Sequence, residues 1–192
     1  MVDESVRLVP GATSRGITIV NTPTLGSGFE FQLSHSSQGP REVGVLGRGW
    51  RHNYQARLIV NTTLVTLVPG QGQHIDFIAD GSGGWKVDLT TSVFVSHALT
   101  NPSGTVWKVT SLPDGTAWTF EASALSGYPE TAGRLLEITD RSGNSVELTY
   151  DSSGQLTTVE EPQGRQIQLT HSGGRLTEVT GPDNQSHLLT YD

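Results

Sequence analysis

The chain has no cysteine. That excludes a disulfide framework and any thiolate-ligated metal. It leaves the compartment open, because a secreted bacterial protein can lack cysteine as easily as a cytosolic one. Basic residues are scarce. Twelve Lys and Arg stand against 19 Asp and Glu, a formal net charge of −7. Nucleic-acid binders show a basic surplus or stripe, and the nearest approach is the sparse set Arg41, Arg48 and Arg51. No nucleic-acid partner is expected. Long apolar runs are also missing. None approaches the roughly 20 residues that cross a bilayer as a helix, so no membrane insertion is expected. Met1 leads into Val-Asp-Glu-Ser, not the basic and apolar stretches of a signal peptide. Helical sequence is lacking too. Glu121 to Leu125 is too short and runs into Ser126-Gly127.

What remains is small, polar and turn-rich. Hydrophobic residues make up 34% and charged residues 16%, with 23 Gly and 9 Pro. A helical bundle needs more Ala, Leu, Glu and Lys. Disorder is excluded because Val, Leu, Ile and aromatics run through the whole length. Short strands and frequent turns fit best.

The strands repeat. Units begin at Gly133, Gly154 and Gly174, 21 and 20 residues apart. Leu135, Leu156 and Leu176 align, as do Ile138, Val159 and Val179. Leu148, Leu169 and Leu189 align and are followed by Thr149, Thr170 and Thr190. Each unit reads as a hairpin. Its loop centres on Ser142-Gly143-Asn144, Pro162-Gln163-Gly164 or Pro182-Asp183-Asn184, residue types that supply positive or pre-set φ. In the second strands, Val146, Leu148 and Tyr150 share one face, as do Ile167, Leu169 and His171, and His187, Leu189 and Tyr191. The opposite face is mostly polar, the pattern of an antiparallel sheet with one wet side. In the first strands Leu135 and Ile138 are three apart, which predicts a bulge or a late strand start.

Further hairpins are expected upstream. Val106 to Val109 and Ala117 to Phe120 flank Pro113-Asp114-Gly115. Leu64 to Leu67 and Ile75 to Ile78 flank Pro69-Gly70-Gln71-Gly72. Trp85 to Leu89 follows the turn Asp80 to Gly84. Ile17 to Val20 and Phe29 to Leu33 are strand candidates, and residues 34–44 read as loop. Three regions result: 1–45, an N-terminal β and loop segment; 46–130, irregular hairpins; and 131–192, three tandem units.

These residues carry a family resemblance. Gly47-Arg48-Gly49-Trp50-Arg51-His52-Asn53-Tyr54 resembles the Gly-x-Gly-Trp signature that precedes the repeats of RHS (YD-repeat) proteins. Asp114-Gly115 resembles that family's intervening hairpins. Residues 133–192 resemble three YD repeats, with Tyr150-Asp151 and Tyr191-Asp192 as the terminating pairs. The resemblance implies an all-β fold, antiparallel strand-turn-strand repeats in a continuous curved or spiralling sheet. It implies a structural role in large secreted or surface proteins, where the shell encloses or presents an effector or adhesion domain. Polymorphic toxins, insecticidal toxin components and the teneurins of animals are of this kind. The sequence departs at His171-Ser172, which stands where Tyr-Asp is expected. The family's core-closing segment with its self-cleaving aspartyl protease residues does not follow, so no proteolysis is carried over. Ending at Tyr191-Asp192 suggests a stop at a repeat boundary, as in a segment of a longer protein.

Competing chemistry is thin. His171-Ser172-Gly173-Gly174 has a serine-protease flavour, but the repeat register accounts for every residue of it. The histidines at 35, 52, 74, 97, 171 and 187 show no metal-ligand spacing. Asp140 to Asn144 and Asp183-Asn184 lack the acidic spacing of a calcium loop. Asn61-Thr62-Thr63 and Asn184-Gln185-Ser186 are glycosylation sequons only in a eukaryotic secretory host. No catalytic residue, metal or cofactor is expected. The expected partners are the rest of the parent chain or an enclosed effector, with self-association through open sheet edges. The alternative is a β-rich adhesion or carbohydrate-binding module displaying Trp50, Trp85, Trp107 or Trp118.

Overall fold

The computed structural model describes residues 6–9, 12–23, 29–37, 43–92, 96–122 and 131–191. They contain strands and turns and no helix. Two compact units form: residues 1–54 with 149–192, and residues 55–148.

The first unit opens with β1 (Val6–Val9), β2 (Ala12–Thr22) and β3 (Phe29–Ser36), followed by β4 (Val43–Gly44), β5 (Gly47–Arg48) and β6 (Trp50–His52). β1, β2, β3 and β6 form one antiparallel sheet in that order, and β4 pairs with β5. Residues 34–36 are strand, contrary to the loop expected there, because Ser34 and His35 find ladder partners in Arg51 and Trp50. Ser/Gly/Pro composition is a weak guide when a partner strand lies elsewhere in the sequence.

The second unit contains β7 (Arg57–Val60), β8 (Leu64–Val68), β9 (Ile75–Ala79), β10 (Trp85–Val87), β11 (His97–Thr100), β12 (Val106–Ser111), β13 (Ala117–Glu121), β14 (Thr131–Thr139) and the first part of β15 (Ser145–Tyr150). The expected hairpins β8–β9 and β12–β13 are present. β7 and β11, short and without turn signals of their own, went unanticipated. β14 starts four residues before Leu135, where the expected strand began. That extra length serves two ladders. Thr131 to Arg134 pair with β7, and Leu135 to Thr139 pair with β13. Leu58, Val65, Phe77, Val109, Phe120 and Leu135 fill the core.

The repeats complete the first unit with β16 (Leu156–Glu160), β17 (Gln166–Ser172), β18 (Arg175–Thr180) and β19 (Ser186–Leu188). Leu156, Val159, Ile167, Leu169, Leu176 and Val179 are buried, and Gln168 and Thr170 are exposed. The three-residue spacing of the first strands is a bulge. Leu169 pairs with Val179 and His171 with Leu176, leaving Thr177 as the extra residue. β14 has the same slip, with Ile138 opposite Trp118 but Leu135 opposite Phe120. The extra residue lets both large apolar side chains face inward. Thr177 Oγ1 then donates to the carbonyl of Thr170 at 3.1 Å, and Thr157 does the same to Thr149 at 3.1 Å.

Four turns share one geometry: 140–144, 151–155, 161–165 and 181–185. In each, the first N–H donates to the fifth carbonyl and the fourth N–H to the first carbonyl, at 2.8–3.1 Å. The fourth residue has positive φ: Gly143 85°, Gly154 79°, Gly164 79° and Asn184 59°. This is a three-residue hairpin loop with a left-handed closing residue. The last strand is exposed on both faces, so His187, expected on the inward face, is not buried. Leu188 on β19 is 77% exposed, and His187, in register with Val179, is exposed as well.

Two glycines make different demands. A Cβ at Gly133 would lie 2.0 Å from the carbonyl oxygen of Glu121, whereas one at Gly143 would meet nothing. Gly133→Ala is expected to destabilise by about 3 kcal/mol and Gly143→Ala by only about 1 kcal/mol of left-handed strain. Urea denaturation of the two variants checks the order.

Candidate functional site

The segment 47–54 is anchored to β3 by backbone, side-chain and ring contacts. Gly47 and Gly49 have φ of 90° and 76°. At Gly49 a Cβ would lie 2.8 Å from the Ser36 carbonyl oxygen and 3.0 Å from His35 Nε2. Glycine therefore lets the chain swing against β3, where Ser36 N–H donates to the Gly49 carbonyl at 2.9 Å. Trp50 then pairs with His35, ring centroids 5.1 Å apart. His52 pairs with Leu33 and stacks on Phe31 at 5.1 Å.

Asn53 extends the ladder with its side chain. Its N–H donates to Gln32 O at 3.1 Å. Its Oδ1 accepts from Gln32 N at 2.9 Å and its Nδ2 donates to Glu30 O at 3.0 Å. The carboxamide thus acts as a peptide group beyond the end of β6. Tyr54 is buried beside Phe31, and that burial raises its hydroxyl well above the usual tyrosine range.

Val45, just before the segment, and Gly47 within it meet the last repeat. Leu176 N–H donates to Val45 O at 3.0 Å. The Tyr191 hydroxyl donates to the Leu176 carbonyl and lies 3.4 Å from that of Val45. The Arg175 guanidinium sits 5.0 Å over the Tyr191 ring and approaches Gly47, where a Cβ would be 2.9 Å from its Nη1. Gly47, Gly49, Trp50, Tyr54 and Tyr191 therefore gather in one unit. Asp192 lies outside the described residues. Asp114 and Gly115 belong to the other unit, at the β12–β13 turn, where Asp114 Oδ1 accepts from Thr116 N at 2.9 Å and Gly115 has φ of 76°. Tyr150 is half-buried at the end of β15.

Asp151 has a visible task. Its Oδ1 accepts from Ser153 N at 2.8 Å and Gln155 N at 2.9 Å, holding the turn between hairpins. Asp140 does the same for Ser142 and Asn144, and its bonds from the Asn144 side chain and amide pull its carboxyl below the usual range. At His171-Ser172 the chain turns instead through Gly173-Gly174, φ 58° and 78°, with Ser172 paired to Arg175. A two-residue turn of this kind needs two left-handed residues and no carboxylate cap.

Sequence reasoning missed Glu161, which is 2% exposed. It accepts from Gln163 N at 3.1 Å, Arg165 N at 3.3 Å and Arg165 Nε at 3.0 Å, while Arg165 also donates to Pro23 O at 3.0 Å. Its signal was available. Glu161 sits at the turn position of Asp140 and Asp151, with a glycine three residues on.

Little of this arrangement supports chemistry on a bound molecule. Among the described residues no group of three or more His, Asp or Glu could hold a metal. His97 faces Ser111 across β11–β12, but the Ser111 hydroxyl bonds Asp114, and His97 Nδ1 is buried without a partner among the described residues. Trp107 is buried and paired edge-on with Trp85 at 5.9 Å; Trp50, Trp85 and Trp118 are half-buried. No tryptophan is presented as an exposed platform.

Two stretches of the chain match models of known families. Residues 4–77 match the model of a domain of unknown function, DUF6531. Residues 130–166 and 150–186 match the RHS Repeat model. A further similarity, 32% identical over 104 residues, is to double-stranded DNA deaminase toxin A of Burkholderia cenocepacia (strain H111). It covers 47% of this chain but 7% of that protein, so the chain spans a small fraction of its length.

Asn53→Ala removes the side-chain acceptor of Gln32 N–H and should cost about 1–3 kcal/mol. Amide exchange is expected to accelerate at Gln32, with the exposed-site variant Arg48→Ala unchanged.

Proposed function

The chain belongs to the RHS, or YD-repeat, family, and on that premise we propose that it is a non-catalytic segment of an RHS shell in a larger secreted or surface protein. The observation that supports this most is how the repeats use their polar side chains. Asp140, Asp151 and Glu161 bond the amides of their own turns. The bulge threonines bond the preceding strand. Such groups build a wall and leave nothing convergent for a reacting substrate.

In this reading the shell encloses or presents an effector or adhesion domain elsewhere in the parent protein. The rest of that protein is the first partner, and the open edge at β19 offers a route to self-association. No nucleic acid partner, membrane insertion or cofactor belongs to the role. The acidic net charge of −7 agrees with that. A carbohydrate-binding role is disfavoured by the half-buried or buried state of all four tryptophans.

Two measurements test the proposal. The purified chain should not deaminate double-stranded DNA, and turnover above background would overturn the non-catalytic reading. In the full-length parent protein, Leu176→Ala, which empties a fully buried site at a cost of about 2–5 kcal/mol, should expose the enclosed domain to protease. Unaltered protection despite the lost stability would overturn the shell reading.

A further inference from the structure

His52 is a buried titratable group that no turn or repeat hydrogen bond uses. It is 4% exposed, and its Nδ1 has no partner among the described residues. The ionisable groups around it offer no compensation. His35 shares its face of the N-terminal sheet but stacks on Trp50. Glu30 and Arg51 alternate to the opposite faces of β3 and β6, and the Glu30 charge acts on Tyr54. From the repeats, β17 presents His171, whose charge would act on His52, and β18 carries Arg175, engaged with Tyr191. Asp151 acts on His171.

A seam between the N-terminal segments and the repeats is well defined within the first unit, and His171 pairs with Leu176, one of the residues that form it. Leu176 N–H bonds Val45 O, Arg165 bonds Pro23 O, and Gly181 packs against Val20, whose Cγ1 would be 3.3 Å from a Cβ there. His171 occupies the register position that Tyr150 and Tyr191 hold in the other repeats. A phenol that stays neutral is thus replaced by a base that protonates in mild acid.

We infer that His52 and His171 form an acid-operated latch across this seam, closed while both rings are neutral and released when they gain protons. Burial pushes His52 down to about 3, and His171 adds to the effect. Burial also lowers His171, with Asp151 opposing. Both rings therefore take up protons more readily in the open state. The closed seam is fully stable above about pH 6.5 and weakens as pH falls toward 3. For His52 alone, the opening constant rises up to about tenfold per pH unit across that window. The latch is a property of this chain and does not rest on the shell reading.

Hydrogen exchange of the intact chain at pH 7, 6 and 5, corrected for intrinsic rates, reads the opening. Protection of β3 and β6 should fall up to about tenfold per unit, while β8 and β9 keep theirs. His171→Tyr should retain more protection at pH 5 than the wild type, and His52→Phe should flatten the profile. If His52→Phe does not fold, ring NMR decides: His52 must stay neutral in the closed form at pH 5. Unchanged protection from pH 7 to 5, equal loss in both units, identical wild-type and His171→Tyr profiles, or a His52 ring titrating near 6.5 would each overturn the latch.

Discussion

The turn is the constraint on which the rest of this chain depends. Four of the hairpin turns reverse over five residues closed by a left-handed fourth residue, at Gly143, Gly154, Gly164 and Asn184. The reversal fixes register, and register decides which face every following side chain takes. A slip of one residue would turn Ile167 and Leu169 outward and Gln168 inward. The carboxylates of Asp140, Asp151 and Glu161 hold the turns by bonding amides that the ladder leaves free. Asn184 is the exception among the closing residues, and asparagine is the side chain that tolerates left-handed backbone best.

The aspartate of the Tyr-Asp pair takes its meaning from this turn. Asp151 caps a turn of three loop residues. Ser172 needs no cap because Gly173 and Gly174 reverse the chain in two residues. The departure from the repeat pattern is a change of turn type, with the ladder preserved on either side of it.

A second dependence runs between segments far apart in sequence. The 47–54 segment is held to β3 by Asn53 and by the ring pairs of Trp50 and His52, and Val45 just before it is held to the last repeat by Leu176 and Tyr191. Its two glycines permit both approaches. The motif therefore serves as a clasp, and its side chains are consumed in packing. That same packing buries His52 and leaves its Nδ1 without a hydrogen-bond partner among the described residues.

The sequence alone determined the hairpins, their loops, the inward apolar set of the repeats and the bulge implied by Leu135 and Ile138. All are local: period-two alternation, turn chemistry and a spacing that breaks the period can be read in a window of twenty residues. It also exposed the family resemblance through ordered motifs. Only the tertiary structure decided the extension of β3 through Ser36, the sharing of β14 between β7 and β13, and the gathering of residues 1–54 with 149–192. It alone placed Arg165 against the Pro23 carbonyl and His52 on the Phe31 ring. These rest on partners tens to more than a hundred residues away, and no local pattern encodes which distant strand or charge a buried group will meet.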